Sequence, residues 1–556
     1  MPATPIPGSS RTLRVWLLLL AILAVAVSLR AYDLTGKCLW IDEANSVSIA
    51  SEPVPERLAT LRLDSSPPLY YFALRGWMDG LGGGEAAVRA LSVVGGVLLV
   101  GLTFWVGSSL FSVRVGAIAA CYLAVSPVQI FYSQQYRMYS WLTALSILSG
   151  FFLWRAVRSG RPRFIVGYAL ATLAALYLHN VAFYLLPGHL VILAWQRFWK
   201  RNLLWWVAAT IVVLALYLPW MPTLLEQVRN ETHYAWFQQH WEKMGPLGAL
   251  GRSVVAFSPS FPELPFQFAE PVPVYVLAAV AASILALVGT VAGVVRAGGV
   301  VGAGGSGASG VGMTEASIRP NTIWAVLMCV LPLGSGILAS VLLQPSYVPG
   351  RSDQIALPAF ALLVSLGLSV IRPAWLRWTS VAGVLAIAGL SSTHYYDNES
   401  DRSEREIAQV IDQNSRAGDI VICTSLTRAP IEYYLTQGLR DRSDDDSHGL
   451  TILSFPRDTA RHLGNQNDRE LLSNPPRLAA EADSVWGEVQ RIVRGREDVR
   501  VFVLVDLTEV NRAFHEALRS GQERIGYREL RSVGVFRQSG TGHRIGVDVA
   551  VFRNSS

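Results

Sequence analysis

The chain has 556 residues, of which 51% are hydrophobic and only 16% are charged. Soluble domains carry about 25% charged residues, so this composition indicates an integral membrane protein. The formal net charge of +6 does not indicate a nucleic-acid partner, because no clustered basic face with interleaved aromatic residues accompanies it.

The charged residues divide the chain into two parts. From Ser392 onward the sequence holds 26 of the 41 acidic residues and 22 of the 47 basic residues, which leaves 15 acids and 25 bases for the first 391 residues. The distribution predicts a transmembrane domain at 1–391 and a soluble accessory domain at 392–556.

Eleven apolar runs in the first part approach the length that crosses the hydrocarbon core of a bilayer. They lie at roughly 13–32, 88–110, 115–133, 138–155, 163–179, 181–196, 203–220, 272–295, 321–343, 355–371 and 376–391. The pair 163–179 and 181–196 is also compatible with one long helix. We favour a retained anchor over a cleaved signal for the first run, because Arg30 follows directly and ten more runs come after it. The glycine-rich stretch 297–312 is predicted to be a flexible linker.

The distribution of arginines predicts the orientation of these spans. With a cytoplasmic N-terminus, the cytoplasmic loops hold several basic groups, such as the cluster Arg155, Arg158, Arg161 and Arg163, and only one of the 15 acids, Glu315, in agreement with the positive-inside rule. An odd number of spans then places the C-terminal domain on the periplasmic or extracellular side of a bacterial inner membrane.

The first outer loop, residues 33–87, contains two adjacent carboxylates in the stretch CLWIDEANS, Asp42 and Glu43. The spacing of the apolar residues around them predicts a short helix that lies in the membrane interface. In an alternative interpretation, Asp42 only caps this helix and Glu43 occupies its first turn, where the helix dipole favours an acid.

The same loop continues with LDSSPPLYYFALRGW. Asp64 and the two serines before the prolines predict a helix start, although Asp64 is equally well interpreted as a second acidic site residue. The rings of Tyr70, Tyr71 and Trp77 are predicted to lie at the depth of the lipid headgroups.

Two outer connections each present one arginine. FYSQQYRMYS places Arg137 at the outer mouth of two spans, and QPSYVPGRSDQIALP brings Arg351 to the same surface. In an alternative interpretation, these side chains only reach out to lipid phosphates and have no role in a site.

The ordered motifs resemble a known superfamily. WIDEA, SPPLYYFALRGW, EAAVRALSVVGGVL, YSQQYRMYS and RSDQIALP resemble the integral-membrane GT-C glycosyltransferases, in particular bacterial members of the protein O-mannosyltransferase and aminoarabinose-transferase superfamily, which is glycosyltransferase family 39-like. The likeness covers roughly residues 10–390. It implies a mainly α fold, with a polytopic GT-C transmembrane helical domain of about 11 spans and amphipathic interfacial helices in the first outer loop. The patterns after Ser392 add a C-terminal soluble α/β domain to this fold.

The resemblance also implies an activity and a site. The activity is inverting transfer of a sugar from a polyprenyl-phosphate donor to a lipid, glycan or protein acceptor at the outer face of the membrane. Asp42 falls on the family's catalytic base, Arg137 on the arginine that contacts the lipid-linked phosphate, and Arg351 on the family's late arginine. Glu43, Asp64 and Tyr70, in the same outer loop, are further candidates for substrate binding.

The chain departs from the family pattern in three places. Gln135 stands where relatives usually have Glu, Ser352 replaces the usual Tyr, and Asp64 with two serines precedes the prolines where aminoarabinose transferases have Lys. The last departure argues against an aminoarabinose transferase. No cofactor is assigned. A divalent metal is left open, because related oligosaccharyltransferases use one.

Two other functions were weighed against the transferase. A polymerase or ligase of lipid-linked glycans would favour a large outer loop with several arginines, whereas 221–271 has few. A lipid or sugar transporter would favour inverted repeats and charges in the middle of the membrane, and the sequence shows neither pattern.

Strand and helix patterns alternate in the C-terminal part. Strands are predicted at DIVICTS, LTILSF, VRVFVLVDL and HRIGVDVAVFR, with helices between them. This alternation predicts an α/β layer with a largely parallel sheet that helps to hold the acceptor or covers the site. A disulfide between Cys38 and Cys423 would require both thiols to face the oxidising side.

Overall fold

The computed structural model describes most of the chain. The described residues are 9–195, 203–229, 235–259, 273–295, 315–396, 403–438 and 449–551, without 65, 425–426, 457–470, 495, 497–498, 507–508, 525–529 and 538–543. The linker predicted at 297–312 lies outside them.

The described part of the chain up to Tyr396 is helical. Its α-helices are α1 (Ser9–Ala31), α2 (Ile41–Ser51), α3 (Val54–Leu63), α4 (Leu69–Leu81), α5 (Glu85–Leu110), α6 (Val113–Ala124), α7 (Pro127–Ser133), α8 (Tyr139–Ser159), α9 (Pro162–Leu178), α10 (Leu186–Trp195), α11 (Leu203–Tyr217), α12 (Met221–Arg229), α13 (Ala235–Phe257, kinked at Gly245), α14 (Pro273–Val295), α15 (Glu315–Leu342), α16 (Leu357–Val370) and α17 (Ala374–Tyr396). Short 3₁₀ turns at Asn180–Leu185, Leu218–Trp220 and Gln354–Ala356 precede α10, α12 and α16.

Every predicted span coincides with helix in this list. Seven helices in the described residues are long and apolar enough to cross a membrane, and the bent pair of α6 and α7 makes an eighth. The remaining three predicted spans correspond to shorter apolar helices, Pro162–Leu178, Asn180–Trp195 and Gln354–Val370. The chain is therefore a multi-pass integral membrane protein, and the run 163–196 is broken at His179. The full count of eleven crossings and their orientation stay predictions.

The bend between α6 and α7 is stabilised by an arginine from α1. The two helices meet at 63°. This break leaves backbone carbonyls without their helical hydrogen bonds, and lipid offers no donor to replace them. The fully buried Arg30 donates to the carbonyls of Leu123 and Ala124 at 2.9 and 2.8 Å and to the Ser133 hydroxyl at 3.1 Å. A Cβ on Gly96 would lie 2.1 Å from Ser133 Oγ, so only glycine leaves room for this arrangement.

The first outer loop is more deeply buried than its sequence predicts. The predicted helix forms as α2, but most of its residues are buried, so it is not an amphipathic helix on the membrane surface. Tyr70 and Tyr71 are 1% and 0% exposed, so their rings pack against protein, and their depth in the membrane stays a prediction. Asp64 ends α3 and does not begin α4, which starts at Leu69 after Pro68.

The C-terminal unit, residues 403–551, is built on a five-stranded mixed sheet. Its strands β1 (Ile420–Thr424), β2 (Thr451–Phe455), β3 (Arg500–Asp506), β4 (Leu530–Arg537) and β5 (Arg544–Val551) lie in the order β2-β1-β3-β5-β4. The pairings of β1 with β2 and β3 are parallel, and those of β5 with β3 and β4 are antiparallel. The predicted α/β layer is confirmed, but β4 was missed and the sheet is less parallel than expected. Its helices are α18 (Ser403–Asn414), α19 (Arg428–Tyr433), α20 (Pro475–Val493) and α21 (Glu509–Arg524).

The C-terminal unit packs directly against the helical part. Buried residues of α18 and β1, such as Ile407 and Val421, share one apolar core with the transmembrane helices. A second core, centred on Trp486, lies within the unit itself. Cys38 and Cys423 are both buried free thiols, so the structure does not contain the disulfide considered above.

Candidate active site

Asp42 projects from the first turn of α2 towards two arginines. Its Oδ2 atom lies 3.6 Å from Nη2 of Arg351 and 3.9 Å from Nη2 of Arg137. The side chain is 20% exposed, more than either arginine, so the carboxylate is the part of this cluster that a substrate can reach. The residue that caps α2 is Trp40, and the interpretation of Asp42 as the helix cap is therefore wrong.

Arg137 lies in the turn between α7 and α8. Its Nη1 donates to the Ser46 hydroxyl at 3.2 Å, and its own carbonyl accepts from the Ser92 hydroxyl at 3.1 Å. Burial lowers the pKa of this guanidinium. Asp42 and neighbouring groups together have the larger, opposite effect, so the pKa of Arg137 lies well above its ordinary value. Arg137 therefore stays charged in a site from which most water is excluded.

Arg351 approaches Asp42 from the connection between α15 and α16. Its Nε donates to the Tyr139 hydroxyl, and its guanidinium carbon lies 5.2 Å above the centre of the Tyr139 ring. Burial lowers its pKa, whereas Tyr139 and Asp42 raise it, with a net rise. Two of its contacts thus fix the orientation of the planar guanidinium.

A tight turn sets the backbone next to Arg351. Gly350 has a φ of +76°, a conformation that glycine adopts without steric cost. Its N–H donates to Oδ2 of the buried Asp353 at 2.9 Å. Burial raises the pKa of Asp353 to about 6. The sequence pattern did not indicate this contact of Asp353 with the turn, which comes from the fold.

The cluster has an excess of positive charge. Two guanidinium groups surround one carboxylate within 4 Å, so positive charge exceeds negative charge among these three described side chains. A partly buried excess charge is costly without a counterion. The arrangement therefore suits an anion that carries one negative charge, such as a phosphodiester.

Glu43 faces away from this cluster although it follows Asp42 in the chain. It is 1% exposed, and its Oε2 lies 3.0 Å from Nη2 of Arg89. Its Oε1 accepts from the backbone N–H of Tyr136 at 3.0 Å. Burial raises the pKa of Glu43, and Arg89 and the Tyr136 N–H offset part of that rise. Neighbouring residues on a helix point in different directions, so the two carboxylates have different surroundings.

Arg89 was missed as a functional residue by the sequence analysis. Besides pairing with Glu43, it donates to the carbonyls of Leu34, Lys37 and Cys38. It thereby holds the non-helical segment that leads into α2. The motif EAAVRALSVVGGVL contained a signal for Arg89, because it places a charged residue at the start of an apolar span.

Tyr70 and Asp64 lie beside the cluster. The Tyr70 hydroxyl lies 3.5 Å from the Ser92 hydroxyl, which bonds the Arg137 carbonyl. Asp64 accepts from the Tyr71 hydroxyl at 3.2 Å and interacts electrostatically with Arg137. The structure thus brings Asp42, Arg137 and Arg351 into contact, with Tyr70 and Asp64 around them.

Two tyrosines of the motif YSQQYRMYS complete the wall of the site. Tyr132 and Tyr139 are buried with ring centres 4.8 Å apart in an edge-on arrangement. The pattern of this motif indicated a role for its arginine alone. Nothing in the pattern distinguished the roles of its tyrosines.

The residues of the site do not fit a metal ion. Within the described ranges, no three His, Cys, Asp or Glu side chains are grouped so that they could hold one. A cation placed at Asp42 would also meet two guanidinium groups, which repel it. We therefore assign no step to a metal.

One family of known proteins matches part of the chain. Residues 65–222 match the family described as dolichyl-phosphate-mannose-protein mannosyltransferase. No curated protein matches the sequence of the chain.

Solved structures are similar in fold. The archaeal oligosaccharyltransferase AglB from Archaeoglobus fulgidus, in complex with an inhibitory peptide and a dolichol-phosphate, is 12% identical with a TM-score of 0.50 over 97% of this chain and 74% of that chain. ArnT from Cupriavidus metallidurans bound to undecaprenyl phosphate is 14% identical over 99% of both chains, with a TM-score of 0.43. The chain therefore has the GT-C fold, and its residues 65–222 are similar to the family described as dolichyl-phosphate-mannose-protein mannosyltransferase.

Proposed function

We propose that this protein is an inverting glycosyltransferase that moves a sugar from a polyprenyl-phosphate donor to an acceptor hydroxyl. One observation carries the proposal: the carboxylate of Asp42 lies within 4 Å of two arginines from distant parts of the chain. A base next to two phosphate-binding groups is what this reaction needs.

The arginines are the proposed site of the donor phosphate. Guanidinium groups match phosphate oxygens with two parallel hydrogen bonds. Arg137 is 6% exposed and Arg351 is partly exposed. Their hydrogen bonds to a phosphate would therefore form in a poorly hydrated site, where such bonds are stronger. The AglB and ArnT structures contain dolichol-phosphate and undecaprenyl phosphate, which supports the same class of ligand here.

The charges of the site balance in both states of the reaction. Before transfer, the single negative charge of the donor phosphodiester offsets the excess positive charge of the two arginines over Asp42. As the bond between the anomeric carbon and the phosphate oxygen breaks, the leaving polyprenyl phosphate gains a second negative charge. Asp42 meanwhile takes the proton of the acceptor hydroxyl and becomes neutral. The total charge within the site therefore stays unchanged, which avoids a large electrostatic penalty at low dielectric.

One general base is sufficient for this chemistry. The leaving phosphate is a stable anion and needs no proton, unlike the alkoxide leaving group in glycoside hydrolysis, where two carboxyl groups act. Donor binding draws both guanidinium groups towards the phosphate and frees Asp42 to accept a proton. A positioned base contributes about 10²–10⁴ in rate. A single in-line displacement inverts the configuration at the anomeric carbon.

The other predicted residues receive supporting roles. We assign Glu43 to positioning, because its pair with Arg89 orients the first turn of α2 and no face of it is open to a substrate. Tyr70 acts through Ser92 on the backbone of Arg137. Asp64 is the residue of this group with the best opportunity to contact an acceptor, since it is partly exposed.

We place the site at the outer face of a bacterial inner membrane, in agreement with the distribution of arginines in the loops. Nucleotide sugars are made in the cytoplasm, so a transferase on the other face requires a lipid-anchored donor. A polyprenyl chain would lie among the transmembrane helices while its phosphate reaches the arginines.

The direct test is sugar transfer from a radiolabelled polyprenyl-phosphate hexose in proteoliposomes. Asp42→Asn keeps the shape of the side chain and removes the base, so we expect loss of turnover with donor binding retained. Asp79→Asn is the matched control. Asp79 is 57% exposed and, among the described residues, forms an ion pair only with Arg75, which lies one turn earlier in the same helix. Equal turnover by the native protein and Asp42→Asn would remove Asp42 from the chemistry. No turnover of any sugar in a panel of lipid-linked donors would refute the transferase itself.

A further inference from the structure

Glu85, the first residue of α5, lies where the C-terminal unit meets the first outer loop. Its Oε2 lies 2.6 Å from Nη2 of Arg405 on α18. Its Oε1 accepts from the hydroxyl of Tyr434, which directly follows α19. The Glu85 side chain is 11% exposed, so this pairing occurs with little solvent around it.

The same two residues of the C-terminal unit also bond the backbone that leads to Asp42. The Tyr434 hydroxyl accepts from the N–H of Leu39 at 2.8 Å, and Arg405 Nη2 donates to the carbonyl of Thr35 at 2.8 Å. Leu39 and Tyr434 are both buried. The segment 34–39 has no regular hydrogen bonds of its own beyond one turn among the described backbone contacts, so the Tyr434 hydroxyl provides a partner for the Leu39 N–H, which would otherwise be buried alone.

Glu85 also reaches the turn that carries Arg137. Its carbonyl accepts from the Tyr136 hydroxyl at 2.9 Å. The backbone N–H of Tyr136 in turn donates to Glu43 at 3.0 Å. Glu85 therefore contacts the C-terminal unit with its side chain and the arginine-bearing turn with its backbone.

These contacts place the segment 34–39 between α5 and the C-terminal unit. From one side Arg89 of α5 bonds the carbonyls of Leu34, Lys37 and Cys38. From the other side Arg405 and Tyr434 bond Thr35 and Leu39. The segment ends at α2, whose second residue is Asp42, so a shift of the C-terminal unit moves the carboxylate relative to the arginines.

We propose that the C-terminal unit sets the position of Asp42 through Glu85, Tyr434 and Arg405, and that Glu85 and Tyr434 are positioning residues for sugar transfer. The inference rests on the proposed function, since it assigns a role in that same reaction. It gives the C-terminal unit a task in catalysis that does not require it to touch either substrate. A misplacement of about 1 Å in a reacting group is enough to reduce a rate by about 10²-fold.

The experiment uses the full-length protein in proteoliposomes with Tyr434→Phe and Glu85→Gln. Phenylalanine keeps the ring and removes only the hydroxyl shared by Leu39 and Glu85, so the variant tests the contact without emptying the core. Glu432→Gln is the control, because Glu432 lies on α19 and pairs with Arg428 of the same helix. The readouts are kcat and KM for polyprenyl-phosphate hexose, and amide hydrogen exchange of the peptide that spans residues 34–46.

A thiol probe gives a third readout. Cys38 is 3% exposed, and burial raises the pKa of its thiol to about 12. Alkylation of Cys38 at pH 8 is therefore slow unless the segment opens. The other cysteines are replaced by alanine in every protein used for this measurement, so that only one thiol is present.

We expect kcat to fall about tenfold in Tyr434→Phe and Glu85→Gln, with KM for the donor within about twofold of native, because one or two hydrogen bonds to the loop are lost. Exchange at Leu39 and alkylation of Cys38 should each rise about tenfold, and Glu432→Gln should match the native protein. Unchanged exchange and alkylation in both variants would overturn the inference. If the native protein itself turns over no donor, the proposed function fails, while exchange and alkylation still decide whether the C-terminal unit holds this segment.

Discussion

The carboxylate of Asp42 and the guanidinium of Arg351 meet at 3.6 Å, although one belongs to α2 and the other to the connection between α15 and α16. Arg137 joins them from a third segment, with 3.9 Å between its Nη2 and the same Asp42 oxygen. No two of these residues belong to the same element. Their contact depends on how α5, α8 and α16 pack, and each prediction below tests one part of that assembly.

Replacing Arg351 by lysine keeps the charge but changes the hydrogen bonds. A lysine ammonium cannot bond the Tyr139 hydroxyl and a phosphate through one planar group as Arg351 can. We expect Arg351→Lys to lower kcat by about 10²-fold, the usual effect of removing one donor that stabilises developing charge. The measurement is initial-rate kinetics with polyprenyl-phosphate hexose. Arg75→Lys, at an exposed i,i+4 pair, serves as the control, and native-like turnover by Arg351→Lys would exclude a role in phosphate binding.

Comparing Asp64→Asn with Asp42→Asn separates the two partly exposed carboxylates that interact with Arg137. Asp64 contacts the Tyr71 hydroxyl and no arginine within ion-pair distance among the described residues. We expect Asp64→Asn to change KM for the acceptor by about threefold to tenfold while kcat stays within about threefold, since a hydrogen bond to one substrate is worth about 1 kcal/mol. A loss of kcat as large as that of Asp42→Asn would make Asp64 the base instead.

Neutralising Glu43 should destabilise the protein more than it changes the chemistry. Glu43→Gln leaves the buried Arg89 without its counter-charge, and breaking a buried pair in this way costs about 3–5 kcal/mol. We expect a lower thermal midpoint in detergent and a smaller folded yield. The matched change is Glu432→Gln, whose 39% exposed side chain and partner Arg428 contribute about 0–1 kcal/mol. Equal midpoints for the two variants would show that the Glu43 pair has no special importance.

Asp353 should make stability depend on pH in a direction set by its raised pKa. Burial raises that pKa from 3.8 to about 6, so its contribution to stability is complete below pH 4 and is lost as the pH rises towards 6. At pH 7.5 the buried charge then costs about 3 kcal/mol, at about 1.4 kcal/mol for each pH unit. Asn retains an oxygen that can accept from the Gly350 N–H.

We therefore expect Asp353→Asn to unfold at a higher temperature than the native protein at pH 7.5 and at the same temperature near pH 4. Thermal unfolding followed by tryptophan fluorescence at several pH values provides the measurement. The exposed Asp79→Asn should show no such pH-dependent difference. A constant difference between Asp353→Asn and native at all pH values would mean that folding does not raise the pKa of Asp353.

The membrane helices could be predicted from local sequence because each spanning segment must satisfy its own backbone hydrogen bonds in lipid. Even the bend after Ala124 has a local signal, since Ser126 and Pro127 interrupt the run. The burial of Tyr70 and Tyr71 had no such signal. Aromatic residues near the end of a span have the same pattern whether they face headgroups or pack beneath a loop, and only the neighbouring α2 and α5 exclude lipid from them.

Sequence alone was sufficient to predict the membrane part and the α/β unit, because hydropathy and helix periodicity are local properties. Motif order, which is also read along the chain, was sufficient to choose Asp42, Arg137 and Arg351 as candidates. Tertiary packing decided which neighbours Asp42, Arg137 and Arg351 have. It turned Asp42 towards the arginines and Glu43 towards Arg89, since adjacent helical side chains point in different directions. It also placed Tyr434 against Leu39, a contact between segments whose separate sequences contain no information about their distance in space.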